Sequence, residues 1–132
     1  MDLGKPVTTP HALKTHDGAA YSWPGGVGNG RSMVSFSAIC AHRMSHPAPE
    51  VSFINYRHGK IDFTDKDYEL QSRSGLIYCC SEGSVYDPGD GARVLGGPAP
   101  QPLATILLEH HSSDDTLSAY GVLGGNMFIP CC

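Results

Sequence analysis

The chain has 132 residues, a length that suits one domain around a single hydrophobic core, so one site is sought and not several. Nine Lys and Arg stand against 13 Asp and Glu, a formal charge of −4 with no long run of either sign, which argues against nucleic acid or an anionic membrane surface as a partner. Sixteen glycines and ten prolines are too many for a helical bundle, and no stretch approaches the roughly 18 consecutive apolar residues that a membrane span requires.

Residues Met1 to Arg31 are rich in Gly, Pro and Thr, and only Ala19 to Trp23 reads as a strand, so this segment is expected to be a loose edge. Met33 to Ile39 alternates apolar and polar residues, the pattern of a half-buried strand, and runs directly into Cys40. Val51 to Tyr56, Lys60 to Phe63 and Gly75 to Cys79 are further short strands, separated by polar stretches such as Thr64 to Glu69. Gly83 to Asp87 and Ala92 to Leu95 flank the turn Pro88-Gly89-Asp90-Gly91 and read as a hairpin. Leu103 to Glu109 and Thr116 to Leu123 form a closing pair around the polar turn Ser112 to Asp115. No helix and no internal repeat is expected, so the fold class is all-β.

Five cysteines, Cys40, Cys79, Cys80, Cys131 and Cys132, are an odd number in two adjacent pairs and a singleton, which suits metal or cluster ligation better than a disulfide framework. Cys131 and Cys132 are too close in sequence for an easy disulfide and are expected to fray or to pair between chains. Cys40-Ala41-His42 puts a thiolate and an imidazole within reach of one site. Downstream, the run Cys79-Cys80-Ser81-Glu82-Gly83-Ser84-Val85-Tyr86-Asp87-Pro88 adds a second loop of potential donors, and Gly96-Gly97-Pro98-Ala99-Pro100-Gln101-Pro102 a third. The adjacent pair His110-His111 points to opposite faces of a strand and is read as solvated.

These three loops resemble those of the Rieske iron–sulfur family, with Cys-x-His first, a Cys-x-x-ligand-Gly-Ser-x-Tyr-Asp loop second and a Gly-Pro-Ala-Pro loop covering the cluster. The resemblance spans about Ser35 to Glu109 and implies a Rieske-like antiparallel β-sandwich with a small cluster-binding subdomain. Residues 1–132 would form one domain, with cluster-binding loops at about 40–46, 79–88 and 96–102. By this resemblance Cys40 and Cys79 hold one iron of a [2Fe-2S] cluster and His42 is a ligand of the other. Ser84 and Tyr86 supply hydroxyls that hydrogen-bond the cluster and its cysteine sulfur, and Pro98 and Pro100 stiffen the covering loop and keep water out.

The departures are specific. Glu82 stands where the fourth ligand, a histidine, belongs, and a carboxylate there adds negative charge and lowers the potential. Two alternatives for the fourth ligand remain: His46, with Glu82 supporting its ring, or Cys80. Ser45 and Ser81 replace together the cysteines that clamp the cluster loops in many respiratory members. The stretch between His42 and Cys79 is longer than the resemblance implies, and an inserted hairpin over about Val51 to Glu69 explains the excess.

The resemblance implies an electron-transfer protein, a carrier or the small subunit of an oxidoreductase, with a cytochrome, a cupredoxin or a large subunit as redox partner. Its loops are more like respiratory and arsenite-oxidase-type members, which favours an extracytoplasmic place after removal of an export signal; the missing disulfide favours the cytoplasm. The competing expectation is a binding or structural subunit of the same fold without a cluster, or with a single metal ion on Cys40, His42 and Cys79.

Overall fold

A computed structural model describes residues 1–15, 18–38, 54–80 and 83–124. Among them there are ten β-strands, no α-helix, and no helix long and apolar enough to cross a membrane. The first pair is a hairpin of β1 (His11–Lys14) and β2 (Ala20–Trp23). An antiparallel sheet follows, ordered β3, β6, β7, β8 and built from β3 (Ile54–Arg57), β6 (Leu76–Cys79), β7 (Val85–Asp87) and β8 (Arg93–Gly96). A second hairpin joins β4 (Ile61–Thr64) to β5 (Leu70–Arg73), and β9 (Thr105–His111) pairs with β10 (Thr116–Leu123) in a long ribbon.

Sequence pattern and position agree within the sheet. The run Leu-Ile-Tyr-Cys of β6 is apolar without alternation because this strand lies between β3 and β7 and buries Leu76, Ile77 and Cys79. Edge strand β3 alternates, with Ile54 and Tyr56 half-buried and Asn55 and Arg57 exposed. Between β7 and β8 the chain makes one 3₁₀ turn over Pro88–Asp90. The Asp87 carboxylate accepts from the Gly89 N–H at 3.0 Å, and Gly91 follows at a φ of 65°. A Cβ on Gly91 would stand 2.5 Å from Leu13 Cδ1, so only glycine lets this turn press against the β1–β2 hairpin.

Three expectations need correction. Val51 to Glu69 does not pair as a hairpin of its own: among the described residues β3 and β4 go out and β5 and β6 return as one arm, and Val51 to Phe53 lie outside the described residues. Residues 58–60 face only 74–75 there, so the arm bends at a β-bulge, with Gly75 at a φ of 70°. The segment from Met33 to Ala38 is extended but forms no regular strand, because it changes partners halfway. Met33 bridges to Val27 and Asp2, whereas the Ser37 N–H donates to the Ala104 carbonyl at 2.8 Å and the Ile106 N–H to the Ser35 carbonyl at 2.9 Å. The first thirty residues are not a loose edge either: β1 escaped detection because His-Ala-Leu-Lys carries a single large apolar residue, yet that residue, Leu13, is core.

Two apolar clusters result. One holds Ile77, Cys79, Tyr86, Ala92, Ala99 and Leu103; the other holds Leu13, Trp23 and Val34; Phe36 packs against both. Trp23 is 1% exposed, and its ring lies 6.1 Å from Phe36 and 5.5 Å from His11. Trp23→Ala is therefore expected to cost about 3–5 kcal/mol, read as a lower urea midpoint.

The tip of the arm is held by one carboxylate. Asp65 accepts from the backbone N–H of Glu69 (3.0 Å), the side-chain amide of Gln71 (2.9 Å) and the backbone N–H of Asp67 (2.9 Å). Chiefly the Glu69 bond, then that of Gln71, holds its carboxyl below the ordinary 3.8. Because the folded value is depressed, this contribution is complete above 3.8 and is lost as pH falls through the lower folded value. Hydrogen-exchange protection of the Asp67 and Glu69 amides should fall across that acid window, and in Asp65→Ala it should be low at every pH.

Candidate functional site

The second predicted loop leaves β6 at Cys79 and re-enters the sheet at Val85. Its two ends are tied: the Cys79 N–H donates to the Ser84 carbonyl at 2.9 Å, and the Gly83 N–H returns to the Cys79 carbonyl at 2.8 Å. A buried strand ending in such a tight loop fixes the Cys79 thiol in the interior, at 0% exposure and beside Tyr86, Ala99 and Leu103, while Cys80 is exposed.

The third loop lies on the second. Gly97, at a φ of 86°, passes so close that a Cβ would sit 2.5 Å from Ser84 Cα and 2.8 Å from the Gly83 carbonyl oxygen. The Ala99 N–H donates to Ser84 Oγ at 3.1 Å, and both residues are buried. Ser84 thereby holds both loops: its carbonyl closes the second loop on Cys79 and its hydroxyl oxygen joins that loop to Ala99 of the third. Accepting that bond leaves the Ser84 hydroxyl its own proton to donate. Tyr86, two residues on, is fully buried in the same cluster.

Pro98 and Pro100 are exposed, and it is Ala99 between them, with Gln101, Pro102 and Leu103 following, that turns inward. The prolines fix the backbone of the loop, and Ala99 supplies its inner surface.

Described residues on either side of the first loop pack close by. Ser35 to Ser37 runs beside Ala104 to Ile106, immediately after the third loop, and Ile54, where the described chain resumes, is the direct partner of Cys79. Phe36, Ala38, Ile54, Ile77 and Leu103 line one cavity of about 210 Å³. Cys40, His42, Ser45, His46, Ser81, Glu82, Cys131 and Cys132 lie outside the described residues. Among the described residues no group of three or more His, Cys, Asp or Glu is placed to hold a metal ion.

The histidine pair is structural. His110 Nε2 lies 2.8 Å from Asp115 Oδ1 and His111 Nε2 lies 2.9 Å from Ser118 Oγ, so both rings pin the β9–β10 ribbon. Sequence reasoning missed Gly97 and the Ala99 amide as the joint between the loops; the Gly96-Gly97 pair was the available signal, since adjacent glycines mark a close backbone approach.

The protein is thus an antiparallel all-β protein in which, among the described residues, β6 ends in a buried cysteine beneath two interlocked loops. No protein-family model matches the chain, and no curated protein resembles it closely enough to establish kinship.

Removing the Ser84 hydroxyl strands the buried Ala99 N–H. Ser84→Ala should cost about 1–3 kcal/mol by urea denaturation, and Gly97→Ala should cost more than Ser84→Ala because its Cβ would meet backbone atoms that cannot rotate away.

Proposed function

We propose that the protein transfers single electrons through a Rieske-type [2Fe-2S] cluster, as a carrier or as the small subunit of an oxidoreductase, with a cytochrome, a cupredoxin or a large subunit as redox partner. The observation that carries this reading is the Ser84 joint, which sets a fully buried Cys79 thiol beneath two loops held together by the hydrogen bond from Ala99. Of the four first-choice ligands, Cys79 alone lies among the described residues. Cys79 is a sulfur donor in a dry apolar surrounding, the kind of site that favours soft iron–sulfur chemistry over a hydrated cation.

In this reading Cys40 and Cys79 would hold one iron, and His42 with Glu82 the other, with His46 or Cys80 as alternative fourth ligands. The bound cluster supplies a one-electron couple. The chain's own residues set its potential and shelter it: the Ser84 hydroxyl has a proton left to donate, Tyr86 brings a second hydroxyl into the same cluster, and Ala99 excludes water. A carboxylate at Glu82 adds negative charge and pulls the potential down. The loop resemblance favours an extracytoplasmic setting.

Glu82 in place of the usual histidine also favours a rival reading, a module without a cluster or with one metal ion on Cys40, His42 and Cys79. The two readings separate on anaerobically purified protein assayed for iron and acid-labile sulfide, with an EPR spectrum after dithionite reduction. The proposal expects two irons and two sulfides per chain, a rhombic signal, loss of both in Cys79→Ser, and a higher potential in Glu82→His. A colourless protein that takes up no iron on reconstitution overturns it.

A further inference from the structure

We propose that a pocket on the outer side of the third loop binds a small amphiphilic anion, an apolar body carrying one carboxylate or sulfonate. This inference is independent of whether a cluster is bound. The pocket encloses about 390 Å³, within the range of roughly 300–1,000 Å³ typical of small-molecule sites. Its apolar surface comes from Leu13 on β1, Val94 on β8, and Ala99, Pro100 and Pro102 on the third loop. Three cations meet at it from three separate elements: Lys14 at the end of β1, Lys66 at the tip of the β4–β5 hairpin, and Arg93 on β8.

In a chain with nine Lys and Arg and a formal charge of −4, that convergence is created by the fold, since the three residues are scattered along the sequence. Arg93 is already engaged: its Nε donates to Asp90 Oδ2 at 2.7 Å and its Nη2 to the Ala12 carbonyl at 3.0 Å. Asp90 also pairs with His11. Lys14 and Lys66 are different. Both are exposed, and neither forms an ion pair with any described residue. The carboxylate nearest Lys66 in sequence on its N-terminal side, Asp65, is occupied by the amides of Asp67, Glu69 and Gln71. Two uncommitted ammonium groups beside a proline-walled apolar hollow recognise a ligand with both parts: the anion pairs with the lysines, and the apolar body gains by leaving water for the hollow.

The pocket also touches the site. Ala99 lines it, and the Ala99 amide is the donor to Ser84, whose carbonyl accepts from Cys79. A ligand pressing on Ala99 should therefore be felt at Ser84 and Cys79.

The test is an NMR titration of the full chain with sodium octanoate, with 1-octanol as the uncharged analogue. Octanoate should bind saturably in the millimolar range, octanol at least about tenfold more weakly, and amide shifts should cluster at Leu13, Val94 and Ala99 and extend to Ser84. The double variant Lys14→Glu with Lys66→Glu should weaken octanoate at least about tenfold while its circular dichroism and thermal midpoint stay those of the parent. As both lysines are exposed, the variant is expected to fold; Lys14→Arg with Lys66→Arg should retain binding. Absence of saturable binding, equal affinity for octanoate and octanol, undiminished binding by the Glu double variant, or shifts centred away from Leu13, Val94 and Ala99 overturns the proposal.

Discussion

Backbone contact between Gly97 and the Gly83-Ser84 step is the constraint on which the rest of the structure turns. Two loops whose backbones touch leave no room for a side chain at Gly97, and Ser84 Oγ satisfies the buried Ala99 amide between them. Beside that joint, β7 and β8 pair with Val85 opposite Gly96 and, after a register shift, Tyr86 opposite Val94, and Cys79, bonded to the Ser84 carbonyl, ends β6 in the interior. A covalent clamp between loops would achieve the same end at the cost of two cysteines. Here a hydrogen bond and a glycine do it.

The arm formed by β3 to β6 is tied into the same place. Its base pairs Ile54 with Cys79, and its far end folds back so that Asp65 bridges to Gly96, where a Cβ would lie 2.3 Å from the Thr64 carbonyl oxygen. Gly96 and Gly97 thus accept backbone contact from two different directions, one from the hairpin tip and one from the second loop. Such a dipeptide tolerates no substitution on steric grounds alone. Phe36 plays the corresponding part for side chains: by packing against both apolar clusters it makes the β1–β2 hairpin and the four-stranded sheet share one interior.

Much of this was legible in the sequence because β6, β7 and β8 combine apolar runs with glycine and proline turns, a local code that burial merely enforces. The strands that escaped notice were those with no such code. In β5, Leu70-Gln71-Ser72-Arg73, the single large apolar residue is itself exposed, and only hydrogen bonding to β4 makes the segment a strand. Met33 to Ala38 showed the reverse failure: its alternation was real, since Val34 is core and Phe36 packs, partly buried, against both clusters, but alternation reports which face is buried and not whether one neighbour runs alongside for the whole length. At the site, the cysteine and the Ser-x-Tyr pair were visible as residue types, while the inward turn of Ala99 between two exposed prolines was not. Which way a loop residue faces depends on what it meets, and Ala99 meets Ser84.

The third loop is consequently a partition with two different faces. Its inner side is built from the Ala99 amide and the buried chain that follows to Leu103; its outer side carries Pro100 into a hollow edged by lysines. Proline suits such a partition, because a fixed φ and a missing donor let the backbone stand between two environments without an N–H that either would have to satisfy. The Ala99 amide is bonded to Ser84 on one side, while Ala99, Pro100 and Pro102 line the hollow on the other. The apolar cluster around the buried cysteine and the outer hollow therefore share one residue, Ala99, whose amide is bonded to Ser84.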